Sequence, residues 1–368
     1  MRHPLKQTRR RLLALLACTI ALLPGCTTDG IIAPAAAPDL RTALSRAVDR
    51  YAICGAVVAT VKNRKLDAVE TASAHCETVA PPHADSVFQA ASLSKPVFAY
   101  AVLKLVEQGK LSLDAPVVSY LSGGYQRRFD PFGSASQSKT ELVSDARLAS
   151  VTVRMALNHS SGLPNWSRGP IKFTAEPGAG WHYSGEAYVL LQRALEAVTG
   201  SSLDRYMTEQ VFKPLGMNNS SFVWEDRFEA ALLPGTTAGT ALPARPLSVP
   251  VAAATLYSTA QDYGRFLATV LGDQRLLGLI TESSVSVDPR LQLSWGNGWG
   301  IERVGARSYL WQWGNNPGYR AFAMADPATG SGFVLLTNSD RGLALSEPVA
   351  NAVLPDAHRV FGFHMLRQ

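Results

Sequence analysis

Three short stretches of the chain hold side chains whose types and spacing can do chemistry. The first is Ala91-Ser92-Leu93-Ser94-Lys95. A serine hydroxyl is a poor nucleophile until a neighbouring group takes its proton. Lys95 stands three residues beyond Ser92, and on a helix that spacing puts both side chains on one side. Desolvation lowers a lysine pKa, so a lysine in a closed, partly dry site can accept the serine proton as a neutral amine. Backbone amides at a helix start are unpaired and carry partial positive charge. The Ser92 amide would therefore stabilise negative charge developing on a substrate oxygen. The competing account is an N-cap serine followed by a solvent-facing lysine. Ser94 is a second candidate, but no lysine stands three residues beyond it.

The second stretch is Trp181-His182-Tyr183-Ser184-Gly185. The Tyr183 hydroxyl can hold or relay a proton once a cation lowers its pKa; simple aromatic packing is the alternative. The third is Trp311-Gln312-Trp313-Gly314-Asn315-Asn316-Pro317-Gly318-Tyr319. Glycine at a strand end lets a substrate approach the backbone closely. The edge amide of Asn315 can then serve as a second oxyanion donor. An ordinary turn between two strands is the alternative.

The elements that must position these groups follow from periodicity. Asp39 caps a helix running to Tyr51. A hairpin follows, Ile53 to Val61 and Leu66 to Ala74 around a polar turn. A helix over Leu93 to Gln108 is predicted from Val97, Ala101 and Leu105, and Gly109 ends it. Pro96 fits only in a first turn, which pins the helix start close to Ser92. Further helices are predicted at Glu186 to Val198, Leu203 to Phe212 (stopped before Pro214), and Ser258 to Val270 with Ser258 and Gln261 as a capping box. Gly298 to Val304, Ser308 to Trp313, Tyr319 to Ala325 and Gly332 to Thr337 read as antiparallel strands, with a last helix near Ser346 to Phe361. Strands at both ends with helices between imply an α+β sandwich. One antiparallel sheet is built from both termini and flanked by helices, with a mostly helical region inserted at about residues 110 to 255. Consecutive strand runs argue against a doubly wound parallel sheet.

Taken together, these stretches resemble the serine β-lactamase and penicillin-binding superfamily, in its class C-like branch. Ser92 and Lys95 match Ser-x-x-Lys, Tyr183 matches the tyrosine of Tyr-x-Asn, and Gln312-Trp313-Gly314 matches the strand motif. Asn158-His159-Ser160-Ser161-Gly162-Leu163-Pro164, Pro214-Leu215-Gly216-Met217 and Pro317-Gly318-Tyr319 are also similar to that branch. The resemblance covers Asp39 to the C-terminus. It implies a β-lactamase/transpeptidase-like fold and a cofactor-free serine hydrolase forming an acyl-enzyme on an ester, amide or β-lactam carbonyl. Alternatives are a D-Ala-D-Ala carboxypeptidase or penicillin-binding protein, and a weakly catalytic sensor. The substrate expected is a small molecule or a peptidoglycan-like peptide, and the protein a monomer. Two positions depart from the family: Gly185 replaces a frequent Asn, and the neutral Gln312 replaces a Lys or His. Both weaken the case for penicillin hydrolysis.

The first 26 residues read as a leader. Arg2, Lys6, Arg9, Arg10 and Arg11 precede an apolar run, Leu12 to Leu23, too short to span a membrane comfortably. Leu23-Pro24-Gly25-Cys26 resembles a bacterial lipobox, which would place a lipid on Cys26. Residues 27–38 then form a tether to the domain at 39–368. Export follows, with the protein at the periplasmic face of the outer membrane or, alternatively, soluble in the periplasm. Without the leader, 30 basic residues face 29 acidic ones, so no net charge favours nucleic acid. Cys54 and Cys76 lie toward one end of the hairpin, as a disulfide or as two separate thiols. The seven histidines form no compact metal motif. His159 reads as an orienting or packing residue. Gly296-x-Gly298-x-Gly300 lacks the rest of a nucleotide loop, and no Gly-x-Ser-x-Gly elbow is present.

Overall fold

A computed structural model describes residues 39–134, 136 and 138–367. The leader, Cys26 and the tether lie outside the described residues. Eight strands form one antiparallel sheet: Ala56–Lys62 (β1), Lys65–Ala72 (β2), Val285–Asp288 (β3), Leu293–Trp295 (β4), Gly300–Val304 (β5), Arg307–Asn316 (β6), Tyr319–Asp326 (β7) and Ser331–Thr337 (β8). Their order is β2-β1-β8-β7-β6-β5-β4-β3. The N-terminal hairpin joins the C-terminal meander through β1 and β8, paired from Ala56 opposite Thr337 to Val61 opposite Gly332. The two ends of the chain therefore build the sheet, as the strand runs imply. Strands β3 and β4 extend it beyond the expected set; at three or four residues each, they carry too little alternation to announce themselves.

Side-chain alternation sorts the central strands between two cores. Val57, Ala59, Ala321, Ala323 and Leu336 face one core. Val58, Phe322, Met324, Phe333 and Leu335 face the other. The first face is covered by a helix at Ala260–Gly272 (α4) and by the buried helix Ser94–Glu107 (α2); the second by Leu40–Tyr51 (α1) and Ser346–Val353 (α5). Helix α4 sits close to the sheet because Gly264 has no side chain, and a Cβ there would lie 2.7 Å from Leu66 Cδ1. The remaining long helix, Gly185–Thr199 (α3), is capped by Ser184 and closed by Gly200 in the left-handed conformation.

Several boundaries differ from expectation for identifiable reasons. Thr259, not Ser258, caps α4, its hydroxyl accepting from the Asp262 amide at 3.1 Å. Ser258 instead ends the strand Leu256–Ser258. The helix from Leu203 is not stopped by Pro214. It widens into a π turn at Thr208–Phe212, and Pro214 fits the first turn of Lys213–Leu215 before Gly216 ends it. The last helix stops at Val353, ahead of Pro355. The following segment is held instead by the buried Glu302 carboxylate, which accepts from Val360 N at 2.9 Å and lies 2.8 Å from His358 Nδ1.

Cys54 and Cys76 are disulfide-bonded across 22 residues of sequence. This settles the choice between a bridge and two thiols. Closing a loop of that length restricts the unfolded chain by about 3 kcal/mol. The Cys54→Ser/Cys76→Ser protein should therefore unfold at lower denaturant with an equal or larger m-value, since its unfolded chain is freer to expand, and reducing agent should lower the wild-type midpoint but not that of the double variant.

Candidate active site

The nucleophile candidate is delivered by a sharp corner. Strand Phe88–Ala91 pairs with Leu256–Ser258 and ends at Ala91, whose φ is +50°. A left-handed alanine costs roughly 1–2 kcal/mol. It turns the chain from strand into α2 and leaves Ser92 at the bend. Ser94 pins the bend: its Oγ donates to Ala91 O at 2.5 Å and accepts from Leu256 N at 3.0 Å. That buried hydroxyl is a brace, which removes Ser94 as a rival nucleophile. The helix begins at Ser94, slightly later than expected, and Pro96 lies in its first turn.

Lys95 is 1% exposed. Its Nζ lies 3.0 Å from Ser92 Oγ and donates to Ala253 O at 2.9 Å. The faces of Tyr183 and Tyr188 stand 4.7 and 5.6 Å from the same nitrogen. Burial pulls the Lys95 pKa down to about 7, because a charge is expensive where water is excluded. A neutral amine here still serves Ala253 with one N–H and turns its lone pair toward the Ser92 hydroxyl.

The Tyr183 hydroxyl accepts from Gln312 Nε2 at 3.2 Å, and the same amide nitrogen donates to Ser92 O at 3.1 Å. Burial pushes the Tyr183 pKa up to about 12, partly offset by hydrogen bonds to Ser92 and Gln312. The expectation that a cation lowers it is not met, because burial outweighs the other influences and Lys95 stands over the ring face. Tyr183 is thus a neutral hydroxyl near neutral pH. Beneath it, the His159 ring lies 4.3 Å away between centroids, and its Nδ1 accepts from Ser184 N at 3.1 Å. Burial and the neighbouring Lys95 hold the His159 pKa well below the ordinary range. His159 therefore orients and packs, as expected.

The glycine-ended strand closes the other side. Strand β5 starts at Gly300 opposite Trp311, so Gln312 to Asn316 have no β5 neighbour and present an edge. A Cβ on Gly314 would lie 2.6 Å from Ala90 O and 3.1 Å from Ala91 Cβ. Glycine lets β6 press against the residues leading into Ser92 and carries Asn315 next to the bend. Asn316 fastens the approach, donating to Gln89 Oε1 at 2.9 Å and Ala254 O at 3.3 Å. Ser92, Lys95, Tyr183, Gln312 and Gly314 are all brought together. The Ala253 carbonyl, Tyr188 and Asn316 were not legible as site residues. Ala253 acts through its backbone, which leaves no side-chain signal.

The departure at Gly185 has a structural counterpart. A Cβ there would lie 2.6 Å from the Trp166 ring atoms Cη2 and Cζ2 and 2.9 Å from Asn165 O. Asn165 O accepts from Gly185 N at 3.0 Å and from Glu186 N at 3.1 Å. Glu186 is buried and paired with Arg127, whose Nη2 and Nε donate to its two oxygens at 2.6 and 2.9 Å. The same arginine donates to Ser167 O at 2.6 Å, and Ser167 N donates to Glu186 Oε1 at 3.0 Å. Asn165 to Ser167 are therefore strapped to the start of α3.

A sandwich of this topology, with a serine, a buried amine and a tyrosine at one corner, is that of the β-lactamase-like serine hydrolases as a class. The chain belongs to the Beta-lactamase family, whose model matches residues 40–354. It is 27% identical over 332 residues to esterase EstB of Burkholderia gladioli, covering 70% of this chain and 79% of the relative. It is 26% identical over 349 residues to penicillin-binding protein 4 of Amycolatopsis lactamdurans, covering 79% and 82%. The fold is shared with a β-lactamase/D-alanine carboxypeptidase from Pseudomonas syringae, with a TM-score of 0.70 at 16% identity, covering 87% of this chain and 99% of that one.

Replacing Gly185 with Ala should force Trp166 aside and cost about 1–3 kcal/mol. In a Trp166→Ala background the same change should cost clearly less. Denaturant unfolding of the four proteins in this cycle gives the coupling.

Proposed function

We propose that this protein is an exported serine hydrolase that cleaves an ester or amide through an acyl-enzyme at Ser92. The observation that carries the reading is the buried Lys95 amine, 3.0 Å from Ser92 Oγ with a pKa near neutrality. Lys95 takes the Ser92 proton as Oγ bonds to the substrate carbonyl carbon. The Ser92 and Asn315 amides hold the resulting oxyanion. The bond to the leaving group then breaks, and that group takes a proton through Tyr183, which Lys95 resupplies. Water, deprotonated by the same pair, attacks the acyl carbon, and Ser92 leaves with its proton restored. Gln312 is neutral and hydrogen-bonds to Tyr183 and Ser92. It offers no cation to a substrate carboxylate, which favours esters or amides over penicillins and over peptides ending in a free D-alanine. The family also contains proteins named as D-alanyl-D-alanine carboxypeptidases, and that activity is the second reading. The leader and Cys26 are consistent with a lipoprotein held at the periplasmic face of the outer membrane.

Ser92→Ala should abolish both ester turnover and covalent labelling by a fluorophosphonate probe; either one persisting in pure, folded protein removes Ser92 from the role. The sign of the pH dependence follows from Lys95. The ammonium form has no lone pair, so kcat/KM should rise through about pH 7 as the amine forms. A profile flat from pH 5 to 9 would exclude Lys95 as the base. Incubation with a labelled penicillin and with the fluorophosphonate probe distinguishes the remaining roles: penicillin label retained without release indicates sensing, and label from neither probe indicates a binding protein.

A further inference from the structure

Trp166 and Phe132 stand out on the surface. They are two of the three large hydrophobic side chains that remain exposed among the described residues, at 38% and 39%. They pack on each other, with ring centroids 5.1 Å apart. Together they line a cleft of about 600 Å³ whose rim carries Asp130, Lys139 and Arg168. Apolar surface left exposed around a cleft and rimmed by polar groups is the kind that takes a ligand.

The position of the cleft relative to Ser92 follows from the backbone. Ser184, between Tyr183 and Gly185, is extended, with φ −136° and ψ 115°. Gly185 opens α3 two residues beyond Tyr183, and the Trp166 ring edge takes the place of its missing side chain, 2.6 Å from where a Cβ would stand. One edge of the indole therefore lies against the start of α3, next in the chain to the site tyrosine, and the ring also lines the cleft. The indole is also held in place, because Asn165 and Ser167 on either side of it are strapped to Glu186 and Arg127. A preorganised aromatic wall costs little to order on binding.

We propose that Trp166, with Phe132, forms an aromatic subsite beside the catalytic corner that selects substrates carrying an aromatic or other flat apolar group on the acyl side. The proposal rests on the reading of Ser92 as the site's nucleophile. It identifies Trp166 as a specificity-determining residue occupying the place a side chain at position 185 would otherwise take.

The test compares 4-nitrophenyl phenylacetate with 4-nitrophenyl acetate on the wild type, Trp166→Ala and Phe132→Ala, each checked for folding by circular dichroism. The ratio of kcat/KM values, phenylacetate over acetate, should fall at least fivefold in Trp166→Ala and at least twofold in Phe132→Ala. A ratio within twofold of wild type in the folded variants overturns the subsite. If Trp166→Ala does not fold, Phe132→Ala decides alone. If the wild type turns over neither ester, the reading of Ser92 fails and the subsite is judged by binding. Phenylacetamide titrated into Ser92→Ala by NMR should bind at least fivefold more tightly than to Ser92→Ala/Phe132→Ala. Equal binding, or none to either, overturns the subsite independently.

Discussion

The site depends on keeping one primary amine nearly dry. Lys95 has almost no exposure, and its nitrogen meets a carbonyl, a hydroxyl and two aromatic faces. An ammonium ion in such a place loses its hydration without gaining a carboxylate partner, so the proton is held weakly. A neutral amine is therefore available near neutral pH. The same exclusion of water acts on Tyr183 in the opposite sense, since an anion is as costly there as a cation. Burial therefore favours the neutral form of both groups: it lowers the Lys95 pKa and raises that of Tyr183.

Holding that amine against Ser92 requires close backbone approach from two sides. The left-handed Ala91 bends the chain, and Gly314 lets β6 press on Ala90 and Ala91. Neither feature is stable by itself. The bend is braced by Ser94 and the approach by Asn316, so local strain is maintained by hydrogen bonds that only the assembled fold can make.

The Gly185 side of the site shows the same logic with a different result. A buried Arg127–Glu186 pair is a weak source of net stability, but it fixes where Asn165 to Ser167 lie. That placement sets the Trp166 indole against Gly185, where a side chain would otherwise stand. On the facing strand the neutral Gln312 side chain hydrogen-bonds to the Tyr183 hydroxyl and the Ser92 carbonyl.

The sequence by itself determined the two-ended antiparallel sheet and the Asp39 and Ser94-to-Glu107 helix starts to within a residue or so, because alternation and caps are local properties of the chain. Spacing alone offered Ser92 with Lys95, and the resemblance to a family added Tyr183, Gln312 and Gly314, which the fold brings to one place. It also exposed Gly185 and Gln312 as unusual, without saying what takes their place. Tertiary structure alone decided the rest. The Ala253 carbonyl has no side-chain signature, and Trp166 and Asn316 reach the site across long stretches of sequence. The direction of the Tyr183 shift is set by burial of its hydroxyl among elements far apart in sequence, and the start of α4 fell to Thr259 because Ser258 was taken by a strand. Spacing along a chain can say which groups are able to meet. Whether water is shut out when they do is set by every element packed around them.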